Sequence, residues 1–254
     1  MSINETDRVK HTQELMWTIN LLFLFISVAN NYGSTSDEEP VLYYYGIEES
    51  ERGLPTCSGR VACAVVLQRY WRPDALVRLC RCGRRRRCDS RAPTDHRVEL
   101  NNRAYFQFCL PVTDWPQCDA DKTTLSIGAD YDRINPDELE ELHHQNREIA
   151  PPNITFNCQC RNPNYWRLKS NPDDTTGYRH YRCGSLPLCR TGELCGHVTT
   201  DLFALYQSCL CPKSHICVQN GGITYEAASE LLYHGTVWNA YCRRVGDESS
   251  YEDY

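Results

Sequence analysis

The residues best equipped for chemistry in this chain are its 16 cysteines, spread through 254 residues. At that density cysteine can cross-link, hold a metal as thiolate, or exchange disulfides, and spacing separates the three. Structural zinc sites favour two to four residues between paired cysteines, or Cys/His mixtures, whereas the recurrent spacings here are Cys-x-Cys and Cys-x5-Cys. Dithiol oxidoreductases need Cys-x-x-Cys, which does not occur. Cross-linking in an oxidising compartment therefore leads, since an even count lets every thiol pair; no metal and no cofactor is expected. Hydrolytic patterns are missing as well: there is no Gly-x-Ser-x-Gly and no His-Glu-x-x-His. His143-His144 read as charges favourably placed at a helix end, and Asn220-Gly221-Gly222 as a turn. The chain is expected to act by binding, without enzyme activity.

The elements that carry these cysteines repeat. Cys57, Cys63, Cys80, Cys82, Cys88 and Cys109 are spaced x5, x16, x, x5 and x20; Cys189, Cys195, Cys209, Cys211, Cys217 and Cys242 are spaced x5, x13, x, x5 and x24. Leu54-Pro55-Thr56-Cys57 matches Leu186-Pro187-Leu188-Cys189, and a small residue follows each second cysteine, Ala64 or Gly196. Between the copies, Cys118, Cys158, Cys160 and Cys183 form a reduced version. The expected organisation is three tandem β modules, 54–117, 118–183 and 184–245. The middle one carries an inserted helix from Pro136 to about Arg147, announced by Asn135-Pro136-Asp137-Glu138. Modules of about sixty residues are small for a self-sufficient core, so disulfides worth about 2–4 kcal/mol each must help.

Each Cys-x-Cys ends a strand-like segment: 75–79, 154–157 and 204–208. Residues i and i+2 share a strand face, so the two thiols point the same way and are badly placed to bond each other. Cys118 is left to pair with Cys158 or Cys160, and Cys183 with the other. The middle module lacks one leading cysteine and the one six residues after Cys-x-Cys. If those two are bonded where present, Cys88 pairs with Cys57 or Cys63, and Cys217 with Cys189 or Cys195. Aromatic strands close the modules at Tyr105-Phe106-Gln107-Phe108, Tyr178 to Arg182, and Trp238 to Tyr241. The fold class is small, disulfide-rich and all-β.

The flanks fit secretion. Residues 1–29 read as a signal peptide, with the apolar run Ile19 to Ala29 ending in Ser27-Val28-Ala29; the run is too short to span a membrane. Residues 30–53 form an acidic extended lead holding one edge strand at Val41 to Tyr45, and 246–254 an acidic tail with Tyr251 and Tyr254 beside acids. Asn153-Ile154-Thr155 is a glycosylation sequon. A net charge of −6 argues against generic nucleic-acid binding.

The succession Val77-Arg78-Leu79-Cys80-Arg81-Cys82, Phe108-Cys109-Leu110-Pro111-Val112, Trp115-Pro116-Gln117-Cys118, Asn157-Cys158-Gln159-Cys160 and Ser208 to Cys217 resembles the Argos, or giant-lens, family of secreted antagonists of epidermal growth factor signalling. It is similar also to a cysteine-rich family of centipede scoloptoxins. The first resemblance implies three β modules, three-finger-like, that clamp a growth-factor ligand of the epidermal type. The second implies action on an ion channel. No membrane span is implied by either.

Two candidate binding features stand out. Arg84, Arg85, Arg86 and Arg87 lie between Cys82 and Cys88, so a fixed positive loop can attract an acidic protein, a sulfated glycan or a phospholipid; the matching loop, Cys211 to Cys217, has one lysine. Tyr70 and Trp71, like Tyr165 and Trp166, read first as core aromatics and second as interface anchors.

Overall fold

All sixteen cysteines pair, and the pairing repeats. Cys57–Cys80, Cys63–Cys88 and Cys82–Cys109 brace the first sheet; Cys189–Cys209, Cys195–Cys217 and Cys211–Cys242 brace the third in the same order. The middle sheet has Cys118–Cys158 and Cys160–Cys183. These come from a computed structural model that describes residues 39–45, 50–88, 93–119, 122–128, 134–147, 150–161, 164–169, 178–219 and 224–246. The expected leader at 1–29, the tail from Asp247 with Tyr251 and Tyr254, and the Asn220-Gly221-Gly222 turn lie outside the described residues.

The first sheet contains β1 (Val41–Tyr44), β2 (Ala62–Leu67), β3 (Ala75–Arg78), β4 (Arg97–Asn101) and β5 (Ala104–Phe108), ordered β1-β3-β2-β5-β4. The second contains β6 (Thr123–Gly128), β7 (Asn153–Phe156), β8 (Asn164–Leu168) and β9 (Tyr178–Ser185), ordered β7-β6-β9-β8. The third contains β10 (Leu194–Thr199), β11 (Leu205–Gln207), β12 (His215–Gln219), β13 (Thr224–Glu230) and β14 (Tyr233–Arg244), ordered β11-β10-β14-β12 with β13 also on β14. In each sheet the strand before Cys-x-Cys sits beside the leading strand, which sits beside the aromatic closing strand. β1 joins the first sheet in parallel with β3, so the lead is partly built into the fold: Tyr45 is 2% exposed. Its phenol is pushed well above the ordinary range by burial, with Glu138 adding to the effect.

The backbone shows what the cysteine positions are for. A register shift interrupts β2–β5 at Cys63 and β10–β14 at Cys195, and each bulged carbonyl accepts the amides of the first Cys-x-Cys cysteine and of the residue before it. The same shift occurs in β6–β9 at Thr124, whose carbonyl accepts Asn157 N–H at 2.8 Å. Thr124 thus stands where the leading cysteine would be. Trp166 stands where its partner would be, since it opposes Cys183 across β8–β9 as Cys217 opposes Cys242 across β12–β14. Each prolyl carbonyl of Pro55, Pro116 and Pro187 accepts the amide between the two cysteines, from Arg81, Gln159 and Leu210. That ties every first cysteine beside its partner.

Without the third bridge, the middle sheet leans on the first through a shared apolar core. Phe156 packs edge-on against Phe106 and Phe108, both at 5.2 Å, and against Trp166 at 5.9 Å, with Trp115 tilted at 5.8 Å. Leu125, Ile127 and Ile154 of the second sheet and Leu231 and Leu232 of the β13–β14 turn join the same cluster. The described residues from Pro40 onward form one compact unit. The inserted helix α1 (Pro136–His144) is capped by the Asn135 side chain, which accepts Asp137 N–H at 3.1 Å. It stops before Arg147 because Asn146 takes a left-handed conformation and the Asn146 and Arg147 amides return to His143 and Leu142 carbonyls. His143 Nε2 donates to the Tyr44 carbonyl at 2.8 Å and holds α1 on β1. No helix among the described residues is long and apolar enough to cross a membrane.

The small residue after each second cysteine has a steric reason. A Cβ on Gly196 would strike the Tyr206 carbonyl oxygen of β11 and approach Gln207 Cα to 3.1 Å. Gly196→Val is expected to cost about 1–3 kcal/mol by overpacking, read as a lower denaturant midpoint with unchanged slope; an unaltered midpoint would show that β10 and β11 are not this close.

Candidate functional site

Three strands that lie far apart in sequence converge on one open groove of about 1020 Å³. β4 of the first sheet, β8 of the second and β11 of the third all line it, and among the described residues each pairs with one strand, β5, β9 and β10 respectively. Among its lining residues the first and third sheets meet where Asn102 Oδ1 accepts Leu205 N–H at 2.8 Å, and within the third sheet Tyr206 Oη donates to the Leu231 carbonyl at 2.8 Å. Among the described residues, Arg97, Arg161 and Arg179 line the groove against one acid, Glu99, so this wall is basic in a protein of charge −6. Tyr105 and Tyr165 add half-buried rings, and the Arg97 guanidinium sits 4.6 Å from the Tyr105 centroid. Burial pushes the Tyr105 phenol up, Arg97 pulls it the other way, and Asp74 adds to the rise. Trp166 is half-buried between the groove and the core, its indole N–H without an acceptor among the described residues.

Outside the groove's lining, the first and third sheets present aromatic loops to each other. Trp71 lies eight residues after Cys63 and Phe203 eight after Cys195, in the same loop of the two repeats. Both take left-handed backbone, φ 60° and 56°, and both are exposed, Trp71 at 99%. Tyr70 joins them: its ring is 5.6 Å from Phe203, edge-on, and 6.5 Å from Trp71, with the Arg103 guanidinium 3.7 Å over its face. Phe203 stacks on Trp238 at 5.3 Å. Bulky side chains avoid left-handed backbone at a cost of about 1–3 kcal/mol each, and such outliers cluster where binding needs them. The expectation that Trp71 packs in the core is therefore corrected: the loop turns it outward. Trp166, by contrast, does pack against Phe106 and Phe156.

Arg84 to Arg87 are all exposed, and none lines the groove. Their loop is pinned at both ends by Cys82–Cys109 and Cys63–Cys88. At its base the buried Arg78 guanidinium donates to the Cys88 carbonyl and pairs with Glu51 at 2.8 Å. The close sulfur groups, such as Cys63, Cys82 and Cys88, are neighbouring disulfides, and oxidised sulfur offers no thiolate to a metal.

Asn153 is exposed at the start of β7, its Oδ1 accepting the Thr155 hydroxyl at 2.9 Å. Secretion through a glycosylating pathway should leave a glycan there, seen as a mass increment removed by N-glycosidase and missing from Asn153→Gln. Unmodified Asn153 in such material would contradict this.

No protein-family model matches the chain, and no curated protein matches it. Among solved structures it is similar to unliganded Argos in its crystal structure, with 19% identity, a TM-score of 0.49, and coverage of 82% of this chain and 99% of that one. The overlap is too loose to transfer a residue, a ligand or a role.

Proposed function

We propose that this is a secreted binding protein that sequesters a small folded ligand of the epidermal-growth-factor type and so silences that ligand's receptor. The observation that carries the reading is the groove to which all three sheets contribute. Clefts where structural units meet are the usual seats of recognition, and a surface fixed by eight disulfides loses little entropy on binding. The ligand class rests on the resemblance of the cysteine framework to the Argos family. Arg97, Arg161 and Arg179 are assigned to acidic or carbonyl groups of the ligand, and Tyr70, Trp71 and Phe203 to an apolar anchor, because Tyr, Trp and Arg dominate interface energetics.

Sequestration has a signature that receptor blockade lacks. The ligand and this protein should co-elute as one complex in the absence of receptor, and receptor phosphorylation should be lost once the protein reaches molar equivalence with the ligand. Inhibition of the receptor with no such receptor-free complex would overturn the reading. The channel-directed alternative is favoured by one feature, the compact Arg84 to Arg87 loop, and predicts that activity vanishes when that loop is neutralised; the sequestration reading predicts full inhibition from the same variant.

A further inference from the structure

Beyond ligand capture, we propose that the Arg84 to Arg87 loop is a docking site for sulfated polysaccharide, holding the protein in the matrix around cells. The loop is a designed variation on a repeated scaffold. In both the first and the third sheet a six-residue step between cysteines is closed at each end by equivalent disulfides, Cys82–Cys109 with Cys63–Cys88 and Cys211–Cys242 with Cys195–Cys217. Both loops make the same turn: Arg86 N–H donates to Gly83 O at 3.2 Å and His215 N–H to Pro212 O at 3.0 Å. The residue three after the first cysteine is left-handed in each, Arg85 at φ 66° and Ser214 at φ 63°. The third sheet folds this loop with Lys213 as its only lysine or arginine, so four adjacent arginines serve no requirement of the backbone.

The arginines are exposed, and no ion pair engages them among the described residues. Packing four like charges on a short closed loop raises the energy of the free protein, and a polyanion relieves it. The chemistry selects which one. Guanidinium matches the fork of sulfate oxygens and binds them bidentately. Eight disulfides belong to an oxidising compartment, outside the cytosol, whereas the strongly anionic lipid surface is the cytoplasmic leaflet. The loop itself, Gly83 to Arg87, has no apolar side chain to insert into a bilayer. Sulfated glycan is the polyanion that fits both the residues and the place.

The test uses the full oxidised protein on immobilised heparin, with desulfated heparin and phosphatidylserine-containing phosphatidylcholine vesicles beside it. No growth factor is present, so failure here and failure of ligand capture are read separately. The expected result is sulfate-dependent retention that Arg84→Ser/Arg85→Ser/Arg86→Ser/Arg87→Ser reduces by about tenfold to a thousandfold, with a shallower dependence of affinity on salt, as released counterions require. Arg84→Lys/Arg85→Lys/Arg86→Lys/Arg87→Lys should keep part of the retention. Equal binding by the serine variant, equal binding to desulfated heparin, or preference for the vesicles would each overturn the proposal. The exposed positions make misfolding of the variant unexpected, and an unchanged mass with all cysteines oxidised checks it.

Discussion

Phe156→Ala is expected to destabilise the first and second sheets together by about 3–5 kcal/mol, the cost of deleting a buried phenyl ring from a packed core. The ring is 2% exposed and touches Phe106, Phe108, Trp115 and Trp166, so the cavity would open between sheets rather than inside one. The middle sheet cannot fall back on a third bridge, because Thr124 and Trp166 occupy those positions. Denaturant unfolding without reductant, followed by tryptophan fluorescence and far-ultraviolet circular dichroism, should show both signals shifting to a lower midpoint as one transition. A loss under about 1 kcal/mol, well below the usual large-to-small penalty, would mean that the sheets are stabilised independently by their disulfides.

Trp71→Ala combined with Phe203→Ala is expected to abolish tight ligand binding while leaving the fold intact. A central aromatic anchor is worth about 2 kcal/mol or more when truncated, which is about thirtyfold in affinity. Trp71 contributes little to stability at 99% exposure, and Trp71→Gly should melt no lower than the parent, because glycine accepts the left-handed backbone freely. Calorimetric titration and thermal melting of the same variants separate the two effects. Unchanged affinity in the double variant would remove the aromatic loops from the binding site.

Much of this architecture was legible in the cysteine spacing. The strands before Cys-x-Cys, the closing strands and the helix cap at Asn135 follow from local pattern and turn chemistry. The joining of Cys88 to one of the two leading cysteines followed from the pair that the middle copy lacks, and the structure selects Cys63. Thr124 and Trp166 were countable, six residues after Cys118 and Cys160, but a threonine and a tryptophan do not announce themselves as the heirs of a disulfide. The edge strand at Val41 was legible and is β1, but the burial of Tyr45 just after it was not, because acidic neighbours made the segment look like lead. The groove could not be read at all. Arg97, Arg161 and Arg179 come together only because Phe156 and its neighbours dock one sheet on another, and no local period encodes that packing. Trp71 misled for a different reason: in a loop, periodicity does not say which way a side chain turns, and only its shared offset with Phe203 marked the position.

The most direct test of ligand capture is a titration of the oxidised protein with epidermal-growth-factor-like ligands from its own source, run beside Arg97→Glu/Arg161→Glu/Arg179→Glu. One-to-one binding with Kd near or below about 100 nM, within the range of specific protein complexes, and its loss in the charge-reversed variant are the predicted results. Absence of binding to every such ligand, or equal binding by the variant, would contradict the account.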